Sequence, residues 1–350
     1  MDRQKGLMLA GLGLASWFGY RMYRASTAFR FPGKTVFITG GTRGLGLVIA
    51  RQLAREGASL AVCSRDPDEV RRAEEDLSRR GARVLARTCD LRYQDRVRDF
   101  VDEVRRHFGA IDVLINNAGT IGVGPVETMT LEDFYDAMAI NYFAALHTIL
   151  EVLPDMRQRG QGRIVNVTSI GGKVSVPHLL PYSASKFALV GLSEGLRSEV
   201  AKDGIVVTTI VPGLMRTGSP RNAMFKGQHE AEYTWFAISD SIPGLSMSAE
   251  KAARQIINAC RYGDAEVVLS LPAKLGVLLH GIAPGLTADL NGWVNRLLPR
   301  EGGIGRQSEP GRESQSPLAP SWLTTLTERA ARENNEMGIP SPEATAPQGD

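Results

Sequence analysis

Short apolar runs alternate with longer amphipathic segments from about residue 34 to residue 271. The runs are continuous and rich in Val, Ile and Leu, which is typical of parallel strands covered on both faces. They predict strands at 35–39, 59–64, 83–89, 111–116, 163–168, 205–211 and 266–270. The segments between them predict helices at 44–56, 67–80, 93–108, 131–159, 182–202 and 249–261. This alternation indicates an α/β fold with a Rossmann-type doubly wound parallel sheet in a single domain over 31–272.

Three later stretches depart from the alternation. Residues 214–247 separate a strand from its helix and combine Gly and Pro with Met, Phe, Tyr and Trp, so we expect a substrate lid; the alternative is a surface excursion against a partner subunit. Residues 273–300 are apolar but interrupted by Gly and Pro, which favours a packed C-terminal cap or a membrane-surface contact over a spanning helix. Residues 301–350 are rich in Gly, Ser, Pro and charge, and predict a disordered tail.

The N-terminal segment, residues 1–30, contains an almost uncharged apolar run at 6–20 with basic residues on both sides. The run is barely long enough to span a bilayer, so there are three interpretations of it: a membrane anchor, a signal peptide and an amphipathic leader. Arg21 and Arg24 argue against a cleavage site just after the run. We favour an anchor, and the heavier basic flank after it predicts a cytoplasmic-facing domain.

Composition excludes several classes of function. The 350 residues carry 41 basic and 38 acidic side chains, which gives a net charge of +3, and no basic patch indicates nucleic-acid binding. Hydrophobic residues make up 43% of the chain, which indicates a globular protein. Cys63, Cys89 and Cys260 are too few and too scattered for a disulfide framework, and no Cys/His spacing indicates a metal site. A reducing compartment fits this cysteine usage.

A glycine-rich turn, 39–46, joins the first predicted strand to the first helix and reads Thr-Gly-Gly-Thr-Arg-Gly-Leu-Gly. A strand that ends in glycines before a helix leaves backbone N–H groups free to bind phosphate. No Gly-Lys-Ser/Thr follows, which disfavours a P-loop and favours a dinucleotide. The turn alone is a weak signal, because it could be only a tight connection.

Tyr182 and Lys186 are four residues apart at the start of a predicted helix and therefore share one face. An ammonium beside a phenol favours the phenolate, so we expect a lowered tyrosine pKa and a general acid/base. Ser169 ends the preceding strand and could reach the same carbonyl group, although turn serines are common. Asn141, amid apolar residues in the helix 131–159, needs hydrogen-bond partners; it could cap a bend or hold a proton-relay water.

The ordered set Thr-Gly-x-x-x-Gly-x-Gly, Asn-Asn-Ala-Gly, Asn, Ser, Tyr-x-x-x-Lys and Pro-Gly resembles the short-chain dehydrogenase/reductase family over about two thirds of the chain. The resemblance implies a sheet order of 3-2-1-4-5-6-7 and a tetrad: Tyr182 as acid/base, Lys186 on the nicotinamide ribose, Ser169 on the carbonyl and Asn141 on a relay water. It assigns cofactor contacts to Thr39, Gly40, Thr42, Arg43, Gly44, Leu45, Gly46, Ser64, Arg65, Asp90, Leu91, Asn117, Ala118, Gly119, Tyr182, Lys186, Pro212, Gly213 and Thr217.

The end of the second strand, Ser64-Arg65-Asp66, bears on which cofactor binds. A basic residue there pairs with the 2′-phosphate of NADP, whereas an acid binds the free ribose hydroxyls of NAD. Arg65, with Arg43 from the glycine turn, favours NADP(H). Asp66 lies one position after the usual place of the acid that binds the ribose hydroxyls, so NAD(H) stays an alternative cofactor.

These features predict an NADP(H)-dependent oxidoreductase that interconverts a carbonyl and a secondary alcohol, with Tyr182 as acid/base and a lipophilic ketone as substrate. An NAD-dependent alcohol dehydrogenase of the same fold is one alternative, and a cofactor-sensing or scaffold protein with little catalysis is another. The resemblance also implies a homodimer or homotetramer. We expect no nucleic-acid partner, and membrane association through 6–20.

Overall fold

The computed structural model describes residues 22, 26 and 28–337. The apolar run at 6–20, and the anchor predicted from it, lie outside the described residues. The central sheet has seven strands: β1 (Thr35–Thr39), β2 (Ser59–Ser64), β3 (Val84–Thr88), β4 (Val113–Asn116), β6 (Gly162–Val167), β7 (Ile205–Val211) and β11 (Glu266–Val268). Their spatial order is β3-β2-β1-β4-β6-β7-β11 and every pairing is parallel. Counted along the chain, this is the predicted order 3-2-1-4-5-6-7, which is confirmed.

Helices cover both faces of the sheet. The long ones are α1 (Gly44–Arg55), α2 (Pro67–Arg79), α3 (Gln94–Phe108), α4 (Leu131–Met138), α5 (Ala144–Arg159), α6 (Leu180–Val200) and α9 (Ala249–Tyr262). Successive strand residues point to opposite faces. In β1, Val36 and Ile38 therefore join the core under α1 and α9, while Phe37 joins the core under α3 and α5.

The helix predicted at 131–159 is continuous but changes its winding once. A π-helical turn, Ala139–Phe143, joins α4 to α5. Among the described residues this is the one helix long and apolar enough to cross a membrane. A core helix meets the same criterion, and here Ile149, Val152 and Met156 are buried in the core beside the sheet.

The segment 214–247 is folded around short elements. It contains β8 (Met215–Arg216), α7 (Ser219–Asn222), β9 (Met224–Phe225) and α8 (His229–Ser241), and β10 (Met247–Ser248) pairs with β8. β9 lies between β5 (Gly122–Val123) and β12 (Glu309–Pro310) in a three-stranded sheet. Aromatic residues of β9 and α8 form a small core of their own, so the segment is anchored, and its motion as a lid stays a prediction.

The C-terminal part, residues 273–337, differs from the sequence expectation in two places. Residues 273–300 form a hairpin of α10 (Leu271–Ile282) and α11 (Pro284–Asn295), in which only Ala273 and Thr287 are buried, so the hairpin is largely exposed and is not a packed cap. The alternative, a membrane-surface contact, stays a prediction. Residues 301–337, expected to be disordered, fold over the domain and end in α12 (Thr325–Glu333). Their polar composition suggested disorder, but small residues such as Ala319 and Ala331 are fully buried and polar side chains are hydrogen-bonded.

Candidate active site

The glycine turn 39–46 is shaped by close backbone contacts. Gly40 and Gly44 have φ angles of +61° and +53°, in the left-handed region that favours glycine. A Cβ on Gly46 would lie 2.1 Å from the carbonyl oxygen of Gly40. The hydroxyl of Thr39 accepts the N–H groups of Asn117 (2.9 Å) and Ala118 (3.0 Å), which fixes the turn against the end of β4.

The groups at the start of α1 fit a phosphate. Arg43, the N-cap residue of α1, makes no side-chain cap, so first-turn N–H groups depend on another acceptor. The hydroxyl of Thr42 is buried and has no partner within residues 28–337. A buried donor without a partner beside a helix N-terminus suits a phosphate oxygen. These residues could therefore hold the phosphates of a dinucleotide.

The basic residues expected at the 2′-phosphate line this region, but they differ in their partners. Arg65 is exposed and carries no hydrogen bond in the described part of the chain. Arg43 donates to Glu69 Oε1 at 2.7 Å and to Asn222 Oδ1 at 3.2 Å. Asp66 caps α2 by accepting the N–H groups of residues 68 and 69. Arg65 is therefore free to pair with a phosphate, whereas Arg43 already shares its charge with Glu69 through Nη1.

Tyr182 and Lys186 lie one turn apart in α6, as the spacing predicts. The Lys186 Nζ lies 5.8 Å from the centre of the Tyr182 ring and donates to the carbonyl oxygen of Val167 at 3.2 Å. Lys186 is buried, and this burial lowers its pKa to about 8. Its ammonium is therefore present at neutral pH and lost in mildly alkaline solution.

The Tyr182 pKa differs from the sequence expectation. Removal from water raises it to about 12; the Ser169 hydroxyl works against this rise, and the charge of Asp240 adds to it. Lys186 does not lower the Tyr182 pKa as expected, and burial, which sequence spacing does not show, penalises the phenolate. At neutral pH Tyr182 therefore holds its proton, the state that a proton donor needs.

Asn141 lies in the π-helical turn and is buried behind the site. Its Oδ1 accepts the N–H of Thr120 at 2.9 Å, and its Nδ2 donates to the Thr120 carbonyl at 3.1 Å and to Ser185 Oγ at 2.9 Å. Ser185 in turn donates to the Tyr182 carbonyl at 2.8 Å. The amide thus ties the loop after β4 to the helix that carries Tyr182, and its link to a relay water stays a prediction.

One cavity of about 860 Å³ joins these parts. Most of the residues predicted from the sequence line it: Gly40, Thr42, Arg43, Gly44, Leu45, Ser64, Arg65, Asp90, Leu91, Asn117, Ala118, Gly119, Ser169, Tyr182, Lys186, Pro212, Gly213 and Thr217. Three of the predicted residues, Thr39, Gly46 and Asn141, do not line it and support its walls from behind. The glycine turn and the tyrosine therefore face one space.

Several predicted contacts are held in place by neighbours. Arg92 pairs with Asp90 at 2.6 Å and lowers the pKa of that carboxyl. The Pro212 carbonyl accepts the N–H of Ile170, next to Ser169. The Thr217 hydroxyl bonds to Ser219 Oγ at 2.7 Å.

The far end of the cavity was only partly foreseen. Its wall is mostly apolar and is lined by Ile121, Ile140, Val176, Leu179, Trp235 and Phe236. Sequence reasoning also missed Asp240 on α8 and Glu336 after α12, acids that line the cavity. Removal from water raises the pKa of Asp240 to about 8 and that of Glu336 to about 7. Neither belongs to a motif, so only the fold brings them to the site.

A buried network attaches α8 to the loop before Tyr182. Both carboxylate oxygens of Glu232 are hydrogen-bonded. Oε2 accepts from Trp235 Nε1 at 2.7 Å, and Oε1 is hydrogen-bonded to His178 Nδ1, also at 2.7 Å. His178 has a φ angle of +63°. A left-handed backbone is strained for a residue other than glycine. The fold requires this conformation next to Glu232, and nothing in the sequence indicated it.

Comparison with known proteins gives consistent results. Residues 34–225 match the model of the short chain dehydrogenase family. The chain is 38% identical over 186 residues, 53% of its length, to a putative ketoacyl reductase of Streptomyces coelicolor and covers 71% of it. It is 32% identical over 287 residues, 80% of its length, to dehydrogenase/reductase SDR family member 7B of Bos taurus and covers 86% of it.

Among solved structures, the chain is similar to a variant of actinorhodin polyketide ketoreductase with NADPH, at 31% identity and a TM-score of 0.61. The match covers 68% of this chain and 95% of that one. The family resemblance drawn from the motifs is therefore confirmed.

Proposed function

The chain belongs to the short-chain dehydrogenase/reductase family, a family of oxidoreductases that act on carbonyl and CH–OH groups, and from that premise we propose that it reduces a lipophilic ketone to a secondary alcohol with NADPH. Tyr182 is the proposed general acid. An NADPH complex of a similar ketoreductase supports this choice of cofactor.

The shared cavity carries the proposal. A phosphate-binding turn at one end and a protonated tyrosine at the other open into a single space of about 860 Å³. A dinucleotide that reaches from the turn to Tyr182 would leave the rest of the cavity for the substrate. This volume lies within the usual range for small-molecule sites, roughly 300–1,000 Å³.

The residues of the chain divide the chemistry between them. NADPH, when bound, supplies the hydride to the carbonyl carbon. Tyr182 donates its hydroxyl proton to the carbonyl oxygen, and Ser169, next to it, hydrogen-bonds the same oxygen. The Lys186 ammonium then faces the tyrosinate that forms and stabilises its charge. One hydride and one proton together convert the ketone to the alcohol.

The preference for a lipophilic substrate is inferred from the cavity wall. Trp235, Phe236 and Leu179 present apolar surface beside Tyr182. Burying apolar substrate surface there gains roughly 25 cal/mol per Å². A small, highly hydroxylated ketone would gain less of this energy and would bind more weakly.

A ketone panel tests the proposal. The purified full-length protein is given NADPH or NADH with alkyl ketones of increasing chain length, and oxidation of the cofactor is followed by absorbance. We expect NADPH-dependent turnover, with kcat/KM rising with chain length. If the protein binds the cofactor but reduces none of the ketones, the cofactor-sensing alternative is favoured. A clear preference for NADH would overturn the choice of cofactor.

A further inference from the structure

The substrate end of the cavity contains one acid with no partner. Asp240 lies on α8, four residues after Phe236, so both side chains share the helix face that lines the cavity. Asp240 is buried, and across residues 28–337 its carboxyl makes no hydrogen bond or ion pair. Its effect on the pKa of Tyr182 places it near the reacting end.

A buried carboxyl without a partner is unfavourable, because a polar group taken from water loses its hydrogen bonds to water without a compensating hydrogen bond in the protein. Other buried acids of this chain are paired: Glu232 with His178 and Trp235, and Glu69 with Arg43. Glu69 lines the same cavity but is paired there, whereas Asp240 lines it without a partner among the described residues, so a ligand can supply what the protein does not.

Building on the proposed function, we propose that Asp240 is a specificity residue that accepts a hydrogen bond from a hydroxyl group on the ketone substrate. The substrate class is then a lipophilic hydroxyketone, with the carbonyl at Tyr182 and the hydroxyl at α8. The apolar wall binds the carbon skeleton between these two polar groups. A ketone without the hydroxyl leaves the carboxyl buried and unpaired, so it binds less well.

The test compares 2-octanone with 2-octanones that carry one hydroxyl at carbon 5, 6, 7 or 8. We expect at least one hydroxyketone to exceed 2-octanone in kcat/KM by about tenfold or more in the unmodified protein. Asp240→Leu should abolish this ratio and Asp240→Asn should keep most of it, because an amide still accepts a hydrogen bond. The matched control is Asp289→Leu, an exposed acid on α11, which should leave the ratio unchanged.

The outcomes separate the two proposals. If 2-octanone is reduced but no hydroxyketone is preferred, or if Asp240→Leu keeps the preference, the Asp240 inference is wrong and the proposed function stands. If no ketone is reduced with either cofactor, the proposed function fails and the Asp240 inference falls with it.

The other missed acid, Glu336, carries a separate inference at the cofactor end. It belongs to a C-terminal segment, Asn334–Glu336, that crosses the glycine turn. The Asn334 carbonyl accepts the N–H of Gly44 at 2.8 Å, and Asn335 Nδ2 donates to the Thr42 carbonyl at 2.8 Å. Glu336 Oε2 accepts the N–H of Gly218 at 2.5 Å. A Cβ placed on Gly44 would lie 3.0 Å from Glu336 Oε1.

The segment is also held from α1 and α2. Arg51 donates to Asn334 Oδ1 at 2.9 Å, and Arg72 donates to Asn335 Oδ1 at 2.6 Å. These bonds place an acidic side chain over the N-terminus of α1, where the dinucleotide phosphates are expected. A phosphate and a carboxylate repel each other there, and the first-turn N–H of Gly44 is already used.

We infer that the segment Asn334–Glu336 competes with the cofactor for the phosphate-binding turn. Cofactor binding then requires the segment to leave, and its contacts lower the apparent affinity for NADPH. This inference also rests on the proposed cofactor site, but it needs no substrate.

Titration of NADPH fluorescence on the full chain tests it. Glu336→Gln keeps the shape of the side chain and removes its charge, so at pH 8, where a carboxyl with a pKa of about 7 is mostly ionised, we expect the Kd for NADPH to fall about tenfold. Asn335→Ala loosens the segment and should also tighten binding. Glu333→Gln, an exposed acid on α12, is the control and should leave Kd unchanged. Equal or weaker binding by Glu336→Gln would show that the segment clamps the cofactor or ignores it. No saturable binding by any variant would defeat the proposed cofactor site as well.

Discussion

The cavity is walled by backbone at its cofactor end and by side chains at its substrate end. At the first end, Gly46 can carry no side chain beside Gly40, and the N-cap residue of α1 makes no side-chain cap. At the second end, Trp235, Phe236 and Asp240 from α8 form the wall. A site built from backbone constrains the sequence to a recognisable spacing, whereas a site built from side chains can change its specificity without a change of fold.

The backbone end should tolerate substitution least. In Gly46→Ala the new Cβ would lie 2.1 Å from Gly40 O and 2.6 Å from Asn117 Nδ2, so the turn must shift. We expect a loss of about 1–3 kcal/mol of stability, measured by thermal unfolding, and a Kd for NADPH about 10- to 100-fold higher. The control is Gly191→Ala, since a Cβ at this exposed helical glycine meets nothing within 4 Å. Equal behaviour of the two variants would refute the role of the backbone.

Lys186 lies where the two ends meet, and its pKa predicts the pH profile. Because burial lowers that pKa to about 8, the ammonium is present below pH 8 and disappears above it. Tyr182, with a pKa of about 12, stays protonated over the same range. With NADPH saturating, so that Glu336 does not contribute, and with 2-octanone, which has no hydroxyl for Asp240 to bind, we expect kcat/KM to be flat below pH 7 and to fall about tenfold between pH 7 and 9.

The same profile has a matched variant. Lys186→Gln should be slower at pH 7 and should lose the fall between pH 7 and 9. A wild-type profile that stays flat through pH 9 would contradict the assignment of this group.

Substitution of Arg65, at the cofactor end of the cavity, tests recognition of the 2′-phosphate. Arg65 is exposed and makes no hydrogen bond or salt bridge in the described chain, so its main contribution is expected when a 2′-phosphate is bound. We expect Arg65→Ala to raise the Kd for NADPH about fivefold to tenfold and to leave the Kd for NADH unchanged. Arg71→Ala, an exposed arginine on α2, serves as the control. Equal losses for both cofactors would rule out recognition of the phosphate by Arg65.

The smallest effect is expected at the substrate end. Phe236→Leu removes part of the aromatic wall and keeps an apolar side chain. We expect KM for a long-chain ketone to rise about threefold to fivefold with kcat unchanged, because contacts made equally in ground and transition states affect KM alone. The Kd for NADPH should not change. A parallel loss of cofactor affinity would mean that the two ends are not separable.

The same difference explains what the sequence could predict. The strands and their order follow from apolar runs such as Val36-Phe37-Ile38, which need no knowledge of distant contacts. Gly40, Gly44 and Gly46 are recognisable because their spacing reflects backbone geometry. The four-residue spacing of Tyr182 and Lys186 correctly predicts their shared helix face.

Burial and long-range contacts were beyond reach. The rise in the Tyr182 pKa depends on the closed cavity, which spacing cannot show. Asp240 and Glu336 are ordinary acids in the sequence and come to the site only through the packing of α8 and α12. The order of residues 301–337 depends on single contacts, such as Asn335 with Thr42, that composition averages away.

The central claim is that Tyr182 donates the proton in ketone reduction, and one comparison tests it directly. NADPH oxidation at pH 7 is measured for the unmodified protein, Tyr182→Phe and the exposed control Tyr135→Phe, with the best ketone of the panel. Loss of a general acid costs roughly 10²- to 10⁴-fold in rate, so we predict such a fall in kcat for Tyr182→Phe and none for Tyr135→Phe. Turnover by Tyr182→Phe at the rate of the unmodified protein would contradict the account.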